Sequence, residues 1–103
     1  GANDNEEDPE IIERADGSFL VDGLITLDKL GSYFKIEEIR TSESVHTLAG
    51  LIFEHSGMIP KTGYKTQVDY KDCEIFIEIM DMDNNCIDKV LVKKKEKILK
   101  PTI

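Results

Sequence analysis

At 103 residues the chain fits one domain, with no room for a second, and can bury roughly 60–65% of its unfolded surface around one modest core. Its apolar stretches are short and broken by charge, which excludes a membrane-spanning helix or a signal-peptide core, and the chain as given reads as soluble. The net charge of -8 disfavours a general nucleic-acid binder, whose phosphate contacts need clustered cations.

Residues 1–9 are polar and acidic, end in Pro9, and read as a disordered leader or linker. Gly1-Ala2 at the head, without an initiator Met, reads as an expression scar. Structure is expected from about Glu10. Glu10-Ile11-Ile12-Glu13-Arg14 and Ser18-Phe19-Leu20-Val21-Asp22 are strand-like. Asp16-Gly17 between them is a strong two-residue hairpin signal. Asp22-Gly23 turns the chain, and Thr26 is placed to cap a helix that carries Leu27, Leu30, Tyr33 and Phe34 at helical spacing.

A polar stretch from Glu37 to Ser44 precedes a second helix, with Val45, Leu48, Leu51, Ile52 and His55 on one side. It is expected to stop at Gly57, and Pro60 prevents resumption. Gly50 inside it costs roughly 1 kcal/mol against Ala, and reads either as a close backbone approach by a neighbouring element or as a simply tolerated glycine. Lys61 to Tyr64 is a turn, Thr66 to Tyr70 a strand, and two long strands follow, Cys73 to Asp83 and Cys86 to Lys95, around Asn84-Asn85.

A two-residue loop at Asn84-Asn85 sets Asp83 opposite Cys86, Ile79 opposite Val90 and Ile77 opposite Val92. Ile75, Ile77, Ile79, Val90 and Val92 then share the core face. The other face carries Phe76, Glu78, Met80, Lys89, Leu91 and Lys93, and of these Phe76, Met80, Leu91, Lys89 and Lys93 form a candidate docking face. The same register holds Cys73 and Cys86 ten positions apart, on the order of 30 Å, too far for a disulfide. Reduced thiols are expected.

Chemistry-bearing patterns are sparse. Asp81, Asp83 and Asn85 alternate like a calcium loop, but Cys86 stands at the obligatory Gly and Val92 at the bidentate Glu. His46 and His55, nine residues apart, fall on opposite helix faces and share no metal. No Ser stands in a nucleophile elbow, and the glycines form no phosphate-cradling loop. The chain therefore reads as no enzyme, with no catalytic residue and no metal site. Acidic residues crowd the N-terminus and lysines the last fifteen positions. Both runs read as solvated, or, for the lysines, as a contact for an acidic partner or lipid headgroups.

Three blocks, DGSFLVDGLITLDKL, TLAGLIFEHSGMIPKTG and EIFIEIMDMDNNCIDKVLVKK, together resemble the transporter-associated domain of the CorC/HlyC family. The chain departs from that pattern at His46, where an acidic residue is usual, and at Asn84-Asn85-Cys86, where a Gly is common. The resemblance implies an α+β fold: a mixed or antiparallel sheet, two helices packed on one face, and a long C-terminal β-hairpin, similar to FAD-binding and transporter-associated-domain-like folds. It divides the chain into a leader (1–9), the domain (10–96) and a tail (97–103). It implies a non-catalytic accessory domain on the cytoplasmic face of an integral membrane protein, following a transmembrane region and a pair of CBS domains. That domain would modulate magnesium- or cobalt-type ion transport through contact with those partners or with a second copy. The alternative is a small-ligand sensor that takes FAD or an adenine nucleotide between helices and sheet.

Overall fold

The structure, a computed structural model, describes residues 10–97. Five strands and two helices follow in order: β1 (Ile11–Glu13), β2 (Phe19–Asp22), α1 (Leu27–Phe34), α2 (Leu48–Ser56), β3 (Lys65–Asp69), β4 (Cys73–Asp83) and β5 (Cys86–Glu96). The sheet order is β1-β2-β5-β4-β3, and every pairing is antiparallel. The expected α+β class holds, with an antiparallel rather than a mixed sheet. Leader residues 1–9 and positions 98–103 of the expected tail lie outside the described residues. Lys97 is bonded to the domain, its N–H donating to Asp72 O at 2.9 Å and its Nζ to Tyr70 O at 2.6 Å.

The long hairpin has the expected pairing, Asp83 opposite Cys86 and Ile77 opposite Val92. One departure interrupts it. The register shifts on both sides of Asp81, which faces Lys89, and so leaves Met80 and Asp88 without opposed residues. Ile75, Ile77, Ile79, Val90 and Val92 are buried as expected and form one core with Val21, Leu27, Leu30, Phe34, Leu48, Leu51 and Ile52. Both helices therefore sit on the same face of the sheet. Cys73 at the hairpin base is buried and Cys86 at its tip exposed, both free thiols.

The first hairpin turns differently from the two-residue reading. Arg14 N–H donates to Ser18 O at 2.8 Å, which leaves Ala15-Asp16-Gly17 as a three-residue loop with Gly17 left-handed at φ 88°. Asp16 accepts the Ser18 hydroxyl at 2.6 Å and its amide at 3.0 Å, and those bonds hold its carboxyl below the ordinary range.

Thr26 and Thr47 cap the two helices, accepting from Lys29 N–H and Gly50 N–H at 3.2 and 3.1 Å. The caps face each other in an isolated bridge. Gly57 ends α2 in the left-handed conformation. Three expectations for this region are corrected. Val45 and His46 precede the cap, so they are not helical. His55 is exposed, and the buried residues of α2 are Leu48, Ala49, Leu51 and Ile52. A Cβ on Gly50 would meet only Thr47 Oγ1 and Val45 Cγ1, at ordinary contact distances of 3.4 and 3.5 Å. The close approach is at Gly23 instead, where a Cβ would lie 2.2 Å from the Ile87 carbonyl oxygen.

The segment between the helices is anchored rather than simply polar, because Ile36, Ile39 and Val45 enter the core. Tyr70 hydroxyl ties it to the sheet by donating to Ile39 O at 2.8 Å. Burial, and secondarily the Cys73 thiol, push the Tyr70 phenol up to about 12. A raised folded value means this contribution to stability is intact below the unfolded value of about 10 and is lost as pH rises through about 12. Tyrosinate absorbance should show a step near pH 12 that Tyr70→Phe removes. Retention of that step in the variant would contradict the assignment.

Candidate functional site

The side of the sheet away from the helices carries the candidate site. Alternation along paired strands sends every second residue there, and the registers align those residues into rows. One row crosses all five strands as Ile12, Leu20, Leu91, Glu78 and Lys65. The next runs Lys93, Phe76 and Gln67. Ile12, Phe76 and Met80 are 43%, 38% and 39% exposed, large values for side chains of this size. Leu20 and Leu91 are half-buried.

A hollow of about 330 Å³ opens on this face, with Phe76 and Leu91 among its apolar lining and Lys65, Lys93, Glu78 and Asp16 contributing charge. Of the expected docking residues, the structure gathers Phe76, Leu91 and Lys93 around this hollow. Met80 and Lys89 are not among its lining and stand toward the hairpin tip. Ile12, Leu20 and Lys65 belong to the same surface but were missed. Their alternation was readable, but the pairing of β2 with β5, which brings them alongside Leu91, is long-range.

The C-terminal lysines divide by face. Lys94 opposes Ile75 on the core side. Its ammonium donates to Phe34 O at the end of α1 at 2.6 Å and pairs with Glu96 at 2.8 Å. A cation there satisfies a carbonyl left open by the helix end. Lys94 and Lys97 are thus structural. Lys93 and Lys95 point outward and are exposed.

A larger hollow, about 790 Å³, lies between α1 and residues 35–43. Four carboxylates line it, Asp28, Glu37, Glu38 and Glu43, against two cations, Lys35 and Arg40, and Arg40 is paired with Asp28 at 3.3 Å. This surplus of negative charge does not suit the pyrophosphate of FAD or an adenine nucleotide, which favours helix N-termini and basic groups. Nor is it the cleft between helices and sheet expected for such a ligand. Among the described residues, no group of three or more His, Cys, Asp or Glu is gathered where a metal ion could be held.

Two helices on one face of a five-stranded antiparallel sheet, with the other face uncovered by the described chain, define a two-layer α+β domain. The family model described as transporter associated domain, CorC_HlyC, matches residues 12–96, and the chain belongs to that family. It is 42% identical over 96 residues to the UPF0053 protein sll0260 of Synechocystis sp., covering 89% of this chain and 20% of that protein. It is 30% identical over 93 residues to the UPF0053 inner membrane protein YoaE of Escherichia coli K12, covering 90% of this chain and 17% of the other. Among solved structures it is similar to the transporter associated domain of a Xylella fastidiosa Temecula1 hemolysin in complex with Mg++ and Mn++. That likeness has 32% identity and a TM-score of 0.66 over 84% of this chain and 98% of the other. The chain spans about a fifth of the length of the curated relatives it matches. No helix among the described residues is long and apolar enough to cross a membrane.

Proposed function

We propose that this is a non-catalytic accessory domain on the cytoplasmic side of a membrane protein, and that it modulates ion transport of the magnesium or cobalt type by docking on the CBS domains of its own chain. The observation that carries the reading is the outer sheet face. Its row of Ile12, Leu20 and Leu91, with Phe76 and Met80 alongside, is left open by the described chain. Apolar surface of this kind is costly to leave in water, and its core of aromatic and aliphatic side chains inside a charged rim has the anatomy of a contact between proteins. Membership of a family whose relatives include an inner membrane protein several times longer supports a partner within the same polypeptide.

The test is binding of the 103-residue chain to the separately produced CBS pair of its parent, measured by calorimetry. Phe76→Asp should weaken it at least about tenfold, since a charge placed in a desolvated contact costs more than about 1.4 kcal/mol. An unchanged Kd would contradict docking through this face.

The ligand-sensor alternative predicts a rise in Tm with FAD or adenine nucleotide, because any ligand that binds only the folded state stabilises it. The charge of the larger hollow favours no rise. The complex of the Xylella relative with Mg++ and Mn++ favours a cation reading, but the described residues offer no matching cluster.

A further inference from the structure

β3 is the longer of the two edge strands, five residues against three in β1. The direction of its backbone groups is fixed at both ends. Ile79 N–H donates to Tyr64 O at 2.9 Å, and Tyr70 N–H donates to Cys73 O at 2.8 Å. Hydrogen-bonded and non-bonded positions alternate in an antiparallel pair, so Thr66 and Val68 turn their backbone groups toward β4. Lys65, Gln67 and Asp69 turn theirs away from the sheet, and all three are exposed. An edge that no other described strand covers is a template for another strand.

The charges on that edge are self-complementary. Lys65 and Asp69 stand at equal distances either side of Gln67. In an antiparallel copy centred on Gln67, Lys65 faces Asp69 of the second copy and Gln67 faces itself. Each of these opposed pairs is in phase to exchange two N–H···O bonds. Centring on Lys65 or on Asp69 would instead oppose like charges, so the pattern selects one register. Lysine on an edge strand commonly blocks pairing, but an acid at the mirror position removes that penalty. On the other face Thr66 would meet Val68, a pairing of β-branched residues that suits a strand. Gln67 Nε2 donates to Asp69 and Glu74, both at 2.9 Å, and so holds the Asp69 carboxylate on the edge.

We infer that two copies of the domain associate by antiparallel pairing of their β3 strands about Gln67, forming one continuous sheet with two-fold symmetry. The contact is made by the edge backbone. Lys65 also lines the outer-face hollow, so Gln67→Pro and Phe76→Asp, rather than Lys65→Asp, separate it from docking through Phe76 and Leu91.

Sedimentation of the 103-residue chain over a concentration series up to about 1 mM tests it. The chain should show a reversible monomer–dimer equilibrium. Lys65→Asp should weaken it at least about tenfold, and adding Asp69→Lys to that variant should restore it. Gln67→Pro removes an outward N–H and the exposed side-chain bonds to Asp69 and Glu74 but no backbone bond to β4, so the chain should remain folded by circular dichroism and become monomeric. Phe76→Asp should leave the dimer intact. A monomer at every concentration, or a dimer indifferent to both Lys65→Asp and Gln67→Pro, would overturn the inference.

Discussion

Gly23→Ala is expected to lower stability by about 3 kcal/mol, near the upper end for overpacking. A drop of this size corresponds to roughly 15 °C in Tm for a domain of this length. The cause is steric and local. The added Cβ would stand 2.2 Å from Ile87 O and 2.9 Å from Ile87 C, and these are backbone atoms that no rotamer change can move aside. The site is also a junction. Gly23 N–H donates to Asp88 O at 2.9 Å on β5, and Gly23 O accepts Ala49 N–H at 2.8 Å from the first turn of α2. Any shift that relieves the clash strains the link between sheet and helix. Thermal unfolding followed by circular dichroism measures it, with Gly50→Ala as the comparison. Gly50→Ala should be neutral or slightly stabilising, since its Cβ meets nothing closer than 3.4 Å and Ala is the better helix former. Equal effects at the two glycines would refute the close approach at Gly23.

The second large effect separates two sequence neighbours on β4. Ile77 is 1% exposed and Phe76 38%. Ile77 lies between Thr66 on β3 and Val92 on β5, facing the helices. Truncation to Ala should cost about 3–4 kcal/mol, through lost burial and the cavity left behind. Phe76→Ala, on the opposite face, should cost about 1 kcal/mol, mostly lost contact with the sheet surface. Urea denaturation should show both as changes in midpoint at constant m-value. A larger loss at Phe76 than at Ile77 would mean that the faces are assigned the wrong way round.

The parts of this fold legible in the sequence are those set by local rules. Alternation in β4 and β5 and the polar pair Asn84-Asn85 fix the hairpin and its core face, because a slip by one residue would exchange the faces. Caps at Thr26 and Gly57 follow from short-range hydrogen bonding and left-handed φ. The offsetting register shifts around Asp81 left no mark in the pattern, since the residues on either side keep their phase. Gly50 drew attention because glycine weakens a helix, whereas the glycine that matters, Gly23, depends on where Ile87 passes in three dimensions. Lys94 looked like part of a solvated run. Only the packing of α1 over β5 reveals it as the partner of Phe34 O.

The candidate site was legible by halves for the same reason. Phe76, Leu91 and Lys93 come from one hairpin, and register alone places them together. Ile12 and Leu20 come from a second hairpin, and nothing local says that β2 lies beside β5 rather than beside β3. That pairing converts a few exposed side chains into a row across the sheet, and the row is what makes a docking surface the best reading.

The most direct measurement is photo-crosslinking in the full-length parent protein within its membrane, with a photoreactive phenylalanine analogue at position 76 and, for comparison, at position 33 on α1. Tyr33 is 49% exposed on the helical side, so both probes reach solvent. Docking through the outer face requires crosslinks from position 76 to the CBS domains and none from position 33. Crosslinks from position 33 alone, or from neither, would contradict it.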